Sequence, residues 1–415
     1  MLKFVLQFLV YFAVWFFNVK RKKSWLAPSN FIFFLYSLCA LLGIPSIYLW
    51  NMRQALGDEY WIPTFYFVIC TLFFIYPFYI FNESSLHFIK LPNRRILNLF
   101  SNVIIILSLY SIFYYSTHVM DVFSTADLGE ARTQTSLGNE SYTGSGLLNT
   151  IASVSASLNI FAIILFFVYY ILGGSPIKVI LLLVSSLSEP IQILTFVGRD
   201  GIVFWIFAFT FCYLFFRPYM NKEKENKIWK ISLIMLALLI LPFWLISASR
   251  FDESDYGLGG SIVCYLGQGF INGPLLFGID NLNYLGGGCF PLFFEITGIK
   301  PPQPLGMVEY GDWKSWSFST SIGSFYINLG PVGLLLVLLF LFLIFRLTIL
   351  KQKTDTFYFQ NIIIYLLCFR LVAEGVFYFR EYSRGGNLMI ILFLLFSLIF
   401  SIIGYRKGIV LVKRN

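Results

Sequence analysis

Uninterrupted apolar runs of about twenty residues recur along almost the whole of this chain, separated by short basic loops. That pattern leaves few folds open. A helix rises about 1.5 Å per residue, so about 20 residues span a hydrocarbon core of about 30 Å. The runs are continuous rather than alternating, which excludes a membrane β-barrel, whose strands alternate lipid-facing and lumen-facing residues. Composition agrees: 58% of the 415 residues are hydrophobic and 12% are charged. A soluble domain of this size could not bury so much apolar surface. The chain is expected to be an all-α, polytopic membrane protein, with residues 1–415 forming a single transmembrane domain.

Eleven spans are read, near 2–18, 31–50, 61–81, 97–117, 146–172, 177–197, 201–217, 231–248, 320–346, 356–379 and 386–405. Basic residues concentrate in alternate loops, at 20–23, 90–95, 178, 217–230, 346–353 and the C-terminal tail. By the positive-inside rule those loops are cytoplasmic. The net charge of +9 is accounted for there and does not point to nucleic acid. Two longer loops, a minor one at 118–145 and a large one at 247–319, hold more Asp and Glu than Lys and Arg and are expected to face outward. The tail is then inside, and an odd span count puts the N-terminus outside.

The large loop is where a polar substrate has room. It opens on the charged run Arg250-Phe-Asp252-Glu253-Ser-Asp255 and closes on Trp313-Lys-Ser-Trp316. The six cysteines show no metal-type spacing, and no metal or cofactor is expected. Cys264 and Cys289 fall in the outer segment, where a disulfide and two buried thiols are both open readings. The two histidines, His87 and His118, lie in loops.

Within the spans, Glu189-Pro190 sets a carboxylate beside a helix breaker, and intramembrane ionisable groups by default face a bundle interior or a wet cavity. Arg199 and Asp200 follow in a tight outward turn, Gly198-Arg-Asp-Gly201. Two readings apply. Asp200 caps the next helix and Arg199 neutralises it, or the guanidinium and the free N–H groups of a helix start form an anion site. Arg370 and Glu374, one turn apart, read as a mutually neutralising pair. Arg199, Arg250, Arg380 and Arg384 all map to span ends on the outer face, where basic residues should be scarce. Four arginines there point to a counter-anion.

Three stretches resemble the O-antigen polymerase family, the oligosaccharide repeat-unit polymerases. They are Gly198-Arg-Asp-Gly201, the large loop from Arg250 through its glycine-rich middle to Pro301-Pro-Gln-Pro304, and Ser317-Phe-Ser-Thr-Ser321 leading into Gly323 to Gly333. The resemblance implies about 11–12 transmembrane helices with one large periplasmic loop, in a bacterial inner membrane. The family usually has an even count with both ends cytoplasmic, from which the odd count here departs. It implies a glycosyltransferase that joins undecaprenyl-pyrophosphate-linked oligosaccharides at the periplasmic face, with membrane lipid around it and a chain-length regulator as a partner. Arg199, Arg250, Arg380 and Arg384 are the expected pyrophosphate ligands, and Asp252, Asp255, Asp200 and Glu381 the candidate bases. Related ligases carry a histidine in the large outer loop; residues 247–319 have none, which favours polymerase over ligase. A flippase is the rival from another class, and an acyltransferase lacks an obvious histidine base.

Overall fold

The computed structural model describes residues 1–124, 128, 130, 146–251, 257–279, 288–299, 309–310, 313–314, 318–350, 355–405 and 407–414. Among them, ten helices are long and apolar enough to cross a membrane, and a bent pair counted as one span brings the number to eleven. This is a multi-pass α-helical membrane protein. Its contacts divide into two compact units, one of residues 1–86 and 259–402, the other of 87–258 and 403–415.

The first unit begins with three long helices, α1 (Leu2–Lys22), α2 (Pro28–Leu49) and α3 (Trp61–Ile80). Pro28 opens α2 at a position where its missing N–H costs nothing. The stretch read as outer loop starts with two helices, α11 (Gly257–Gly267) and α12 (Gly269–Leu276), all eight residues of α12 being buried. Glycine explains the close fit. A Cβ on Gly267 would meet the backbone of Leu42, and one on Gly273 the ring of Phe67. A short helix, α13 (Pro291–Thr297), follows. Then α14 (Thr320–Phe345) is kinked at Gly330, whose φ of 67° precedes Pro331. Next comes α15 (Phe359–Ala373), buried at every position except Gln360 although it carries Asn361 and Arg370. The last helix of the unit is α16 (Arg384–Ile403).

The second unit holds α4 (Arg94–Phe123), which runs past the expected boundary at 117. Its Asn93 cap accepts a hydrogen bond from the N–H of Ile96 at 3.0 Å. The expected span 146–172 is two helices, α5 (Leu147–Ala156) and α6 (Asn159–Leu172), bent by 43°. Ser157 at the bend returns its hydroxyl to the carbonyl of Ser153 at 3.1 Å, a bond that competes with the helix ladder. The expected span 177–197 is likewise interrupted, between α7 (Pro176–Ser185) and α8 (Ser188–Leu194). Pro190 sits just after the break and has no N–H to continue the ladder. After α9 (Asp200–Phe216), α10 (Lys222–Phe251) starts about two turns earlier than 231. The ion pairs Arg217–Glu225 and Lys227–Glu223, both 2.7 Å, hold that polar start together. Strands β1 (Phe88–Leu91) and β2 (Ile409–Val412) pair antiparallel.

Candidate functional site

Helix α15 carries Arg370 in its last turn, wholly inside the first unit. Beyond Ala373 the chain leaves α-helical geometry: a short turn covers Glu374–Val376 and runs on through Phe377, Tyr378 and Phe379 are extended, and a second short turn covers Arg380–Tyr382. The residues after α15 therefore fold back on its end. Glu381 places Oε1 2.7 Å from Nε of Arg370. Glu374 places Oε2 3.4 Å from the same Nε and 3.0 Å from Nη1 of Arg380. The order is Glu381, Arg370, Glu374, Arg380, with signs alternating along the row. All four side chains are at most 7% exposed. Two guanidiniums and two carboxylates sum to zero, which is why the row tolerates burial: an uncompensated buried charge is strongly unfavourable, and alternation supplies each with a neighbour of opposite sign.

The backbone of this junction is pinned by the opening of α14. Thr320, at φ 65°, donates its N–H to the carbonyl of Phe377 at 2.8 Å, and the N–H of Phe379 donates to the Ser324 hydroxyl at 3.3 Å. Buried Asn272 on α12 donates to the carbonyl of Phe318 at 3.0 Å, tying the start of α14 to the unit's interior. The polar run 317–321, conspicuous in the sequence, thus leads into the helix start that holds the charged row.

Asn387 joins a third segment to the row. Its Nδ2 donates to the carbonyls of Glu381 at 2.5 Å and Cys289 at 2.9 Å, and its Oδ1 accepts from the N–H of Leu292 at 3.3 Å. These bonds fasten α13 to the first turn of α16. Arg384 adds an ion pair to Glu295 of α13 at 2.7 Å, on the surface. Cys289, beside this contact, is a free thiol, as is Cys264. Burial pushes the Cys289 thiol well above its ordinary range.

Arg199 belongs to the second unit. It is buried, donates from Nη1 to the Ser247 hydroxyl at 2.8 Å, and lies 5.8 Å from the centre of the Phe243 ring. The turn before it is as tight as its sequence suggests: Val197 has φ 52°, and the N–H of Gly198 reaches the carbonyl of Ile193 at 3.1 Å. Arg199, not Asp200, occupies the cap position of α9, and no side chain caps that end. Asp200 is in the first turn, where a carboxylate opposes the positive end of the helix dipole. Glu189 is buried in the first turn of α8. The backbone of Arg250 lies in the last turn of α10; its side chain, with Asp252 and Asp255, lies outside the described residues.

Of the expected site residues, the structure brings Arg380 and Glu381 into one cluster and sets Arg384 on a neighbouring surface pair. Arg370 and Glu374, read from sequence only as a local pair, are full members of that cluster. Sequence reasoning did not single out Asn387, although a polar residue just after Gly385-Gly386 at the start of a span is a visible signal. A second buried charged site was also missed. Lys22, among the basic residues after the first span, forms an ion pair with Glu83. Glu83 accepts further from Tyr365 at 2.8 Å and from the N–H of Ser29 at 3.2 Å. Among the described residues no group of His, Cys, Asp and Glu is arranged to hold a metal ion.

The fold and the row together define a multi-pass helical membrane protein with a charge-balanced Arg/Glu cluster where a deeply buried helix gives way to irregular backbone. No protein-family model, no curated protein and no solved structure matches the chain.

Proposed function

We propose that the chain is a surface-polysaccharide polymerase of the bacterial inner membrane, a glycosyltransferase of O-antigen polymerase type working at the periplasmic face. It joins undecaprenyl-pyrophosphate-linked oligosaccharide repeat units, with a chain-length regulator as partner. In the reaction a sugar hydroxyl of the incoming unit attacks the anomeric carbon of the growing chain. The C–O bond to the diphosphate breaks, the electron pair leaves with the diphosphate, and the hydroxyl proton passes to a carboxylate base. The protein has to supply fixed positive charge for the leaving group and a base for the proton.

The observation that carries this reading is the pairing of Arg370 and Arg380 with Glu374 and Glu381 at the broken end of α15. Guanidinium stays charged at any physiological pH and binds phosphate oxygens in bidentate fashion, as lysine does not. The resemblance in the Gly198 to Gly201 turn, in the large loop after Arg250 and at 317–333 points the same way. Deletion followed by complementation tests it. Cells lacking the chain should carry lipopolysaccharide with a single repeat unit, and the intact gene should restore long chains. Unchanged chain length after deletion removes the proposal.

The rival is a flippase for the same lipid-linked oligosaccharide, and the broken helices favour it: α5 and α6 bend by 43°, and α14 is kinked at Gly330. Interrupted helices are characteristic of transporters, where they expose backbone to the cargo. The same deletion separates the two, because loss of a flippase leaves no repeat unit on the surface at all.

A further inference from the structure

We infer that Glu374 is the resident counter-ion of a diphosphate site on Arg380, displaced when the diphosphate binds. The inference rests on the polymerase reading and assigns to Glu374 a role that the sequence pattern alone did not suggest. Its basis is the unequal sharing within the charged row. Oε2 of Glu374 lies 3.0 Å from Nη1 of Arg380 and 3.4 Å from Nε of Arg370, while Arg370 also has Glu381 at 2.7 Å. Arg370 is thus held by two carboxylates, and Glu374 touches two guanidiniums. If an anion takes over Arg380, Glu374 keeps Arg370, and Arg370 keeps Glu381. Each carboxylate then retains a guanidinium neighbour, and the one negative charge left over among the three is shared rather than isolated.

The two guanidiniums of the row are also held differently. Arg370 sits on the buried helix α15, whereas Arg380 sits on a short turn held at Thr320 and Ser324 by backbone hydrogen bonds. The Arg380 guanidinium presents a planar fork of N–H donors. A diphosphate matches that fork better than one carboxylate oxygen does, and it carries more charge. In the empty site Glu374 keeps Arg380 neutralised. On binding, the diphosphate takes that place, and the site discriminates against weaker anions because it has to outcompete Glu374.

The test uses the full chain in nanodiscs, with inorganic pyrophosphate and farnesyl diphosphate as probes in calorimetric titrations. Removing the competitor should raise affinity: E374Q is expected to bind both probes roughly tenfold more tightly than the wild type. R380K should weaken binding, and the double variant E374Q/R380K should lose the gain. Unchanged or weaker binding by E374Q overturns the inference, as does a gain that survives in the double variant. A gain with pyrophosphate but not with farnesyl diphosphate overturns it for a lipid-linked ligand. Should E374Q fail to fold, the wild type decides. Pyrophosphate must then shift a carboxylate band in the infrared difference spectrum, and a silent carboxylate region overturns the exchange. Glycan length in complemented cells is scored separately, so a tightened E374Q in a protein that does not polymerise sinks the polymerase reading and leaves the exchange standing.

Discussion

The carboxylate of Glu381 reaches back across eleven residues to Nε of Arg370, 2.7 Å away, and closes the chain on itself where α15 ends. That bond turns an i,i+4 pair at the end of α15, Arg370 and Glu374, into a four-member row that includes irregular backbone. Arg370 is shared by both carboxylates, so Arg370→Leu takes from each its common guanidinium. The variant is expected to lose about 3–5 kcal/mol of stability, the range for breaking a buried pair from one side. Thermal unfolding of the purified protein in detergent measures it; a midpoint equal to wild type would contradict the pairing.

Lys22 and Glu83 make a second buried link, across sixty-one residues. Lys22 also donates to the carbonyl of Phe81 at 2.6 Å and to the Ser29 hydroxyl at 2.8 Å. Lys22→Met is expected to destabilise by a similar amount, about 3–5 kcal/mol, because it breaks a buried pair from one side and leaves Glu83 without its cationic partner. Adding Glu83→Gln should recover part of that loss. A double-mutant cycle reads the coupling, and additive losses would show that the two residues do not depend on each other.

Arg384 contrasts with both. Its side chain is 70% exposed and its partner Glu295 47%. Exposed pairs contribute little, so Arg384→Ala should change stability by less than about 1 kcal/mol. Any shortening of surface glycan in that variant then reports on substrate handling rather than folding. Full-length glycan would take Arg384 out of the pyrophosphate site.

Gly386 packs directly against the row's backbone. A Cβ there would stand 2.8 Å from the carbonyl carbon of Glu381 and nearer still to its Cα. Gly386→Ala must therefore displace the backbone of Glu381, the residue paired with Arg370. Overpacking of this kind costs about 1–3 kcal/mol, and the variant should lose chain length together with stability. Wild-type unfolding and wild-type glycan would show that the turn absorbs the methyl freely.

Arg199→Lys and Arg250→Lys keep charge but lose the bidentate fork, and both should shorten the polysaccharide if these residues grip phosphate. For Arg199 the bond to the Ser247 hydroxyl at 2.8 Å would be lost as well. Ser247→Ala serves as the control, since it removes that bond and leaves the guanidinium. Normal glycan length in both lysine variants would exclude both residues from the site.

Much of the architecture was legible in the residues themselves. Whether about twenty consecutive side chains are apolar enough to lie in hydrocarbon is a local, additive property, so the helical membrane class and most span positions needed no tertiary information. The tight turn at Gly198 was readable from its own residues in the same way. The bends were only partly so. Pro190 announces an interruption between α7 and α8, but composition does not specify the 43° bend between α5 and α6, where the Ser157 hydroxyl bonds the carbonyl of Ser153.

The charged row lies on the other side of that divide. The sequence established that Arg370, Glu374, Arg380 and Glu381 are present near one span end, and physics requires buried charges to be compensated. Which carboxylate answers which guanidinium depends on the path of the chain after Ala373 and on the anchors that Thr320, Ser324 and Asn387 provide from other helices. Those anchors come from residues as many as ninety-eight positions apart, as Asn387 and Cys289 are. Local pattern sets how deep a segment lies in the membrane, whereas only packing between distant segments sets which polar groups meet there.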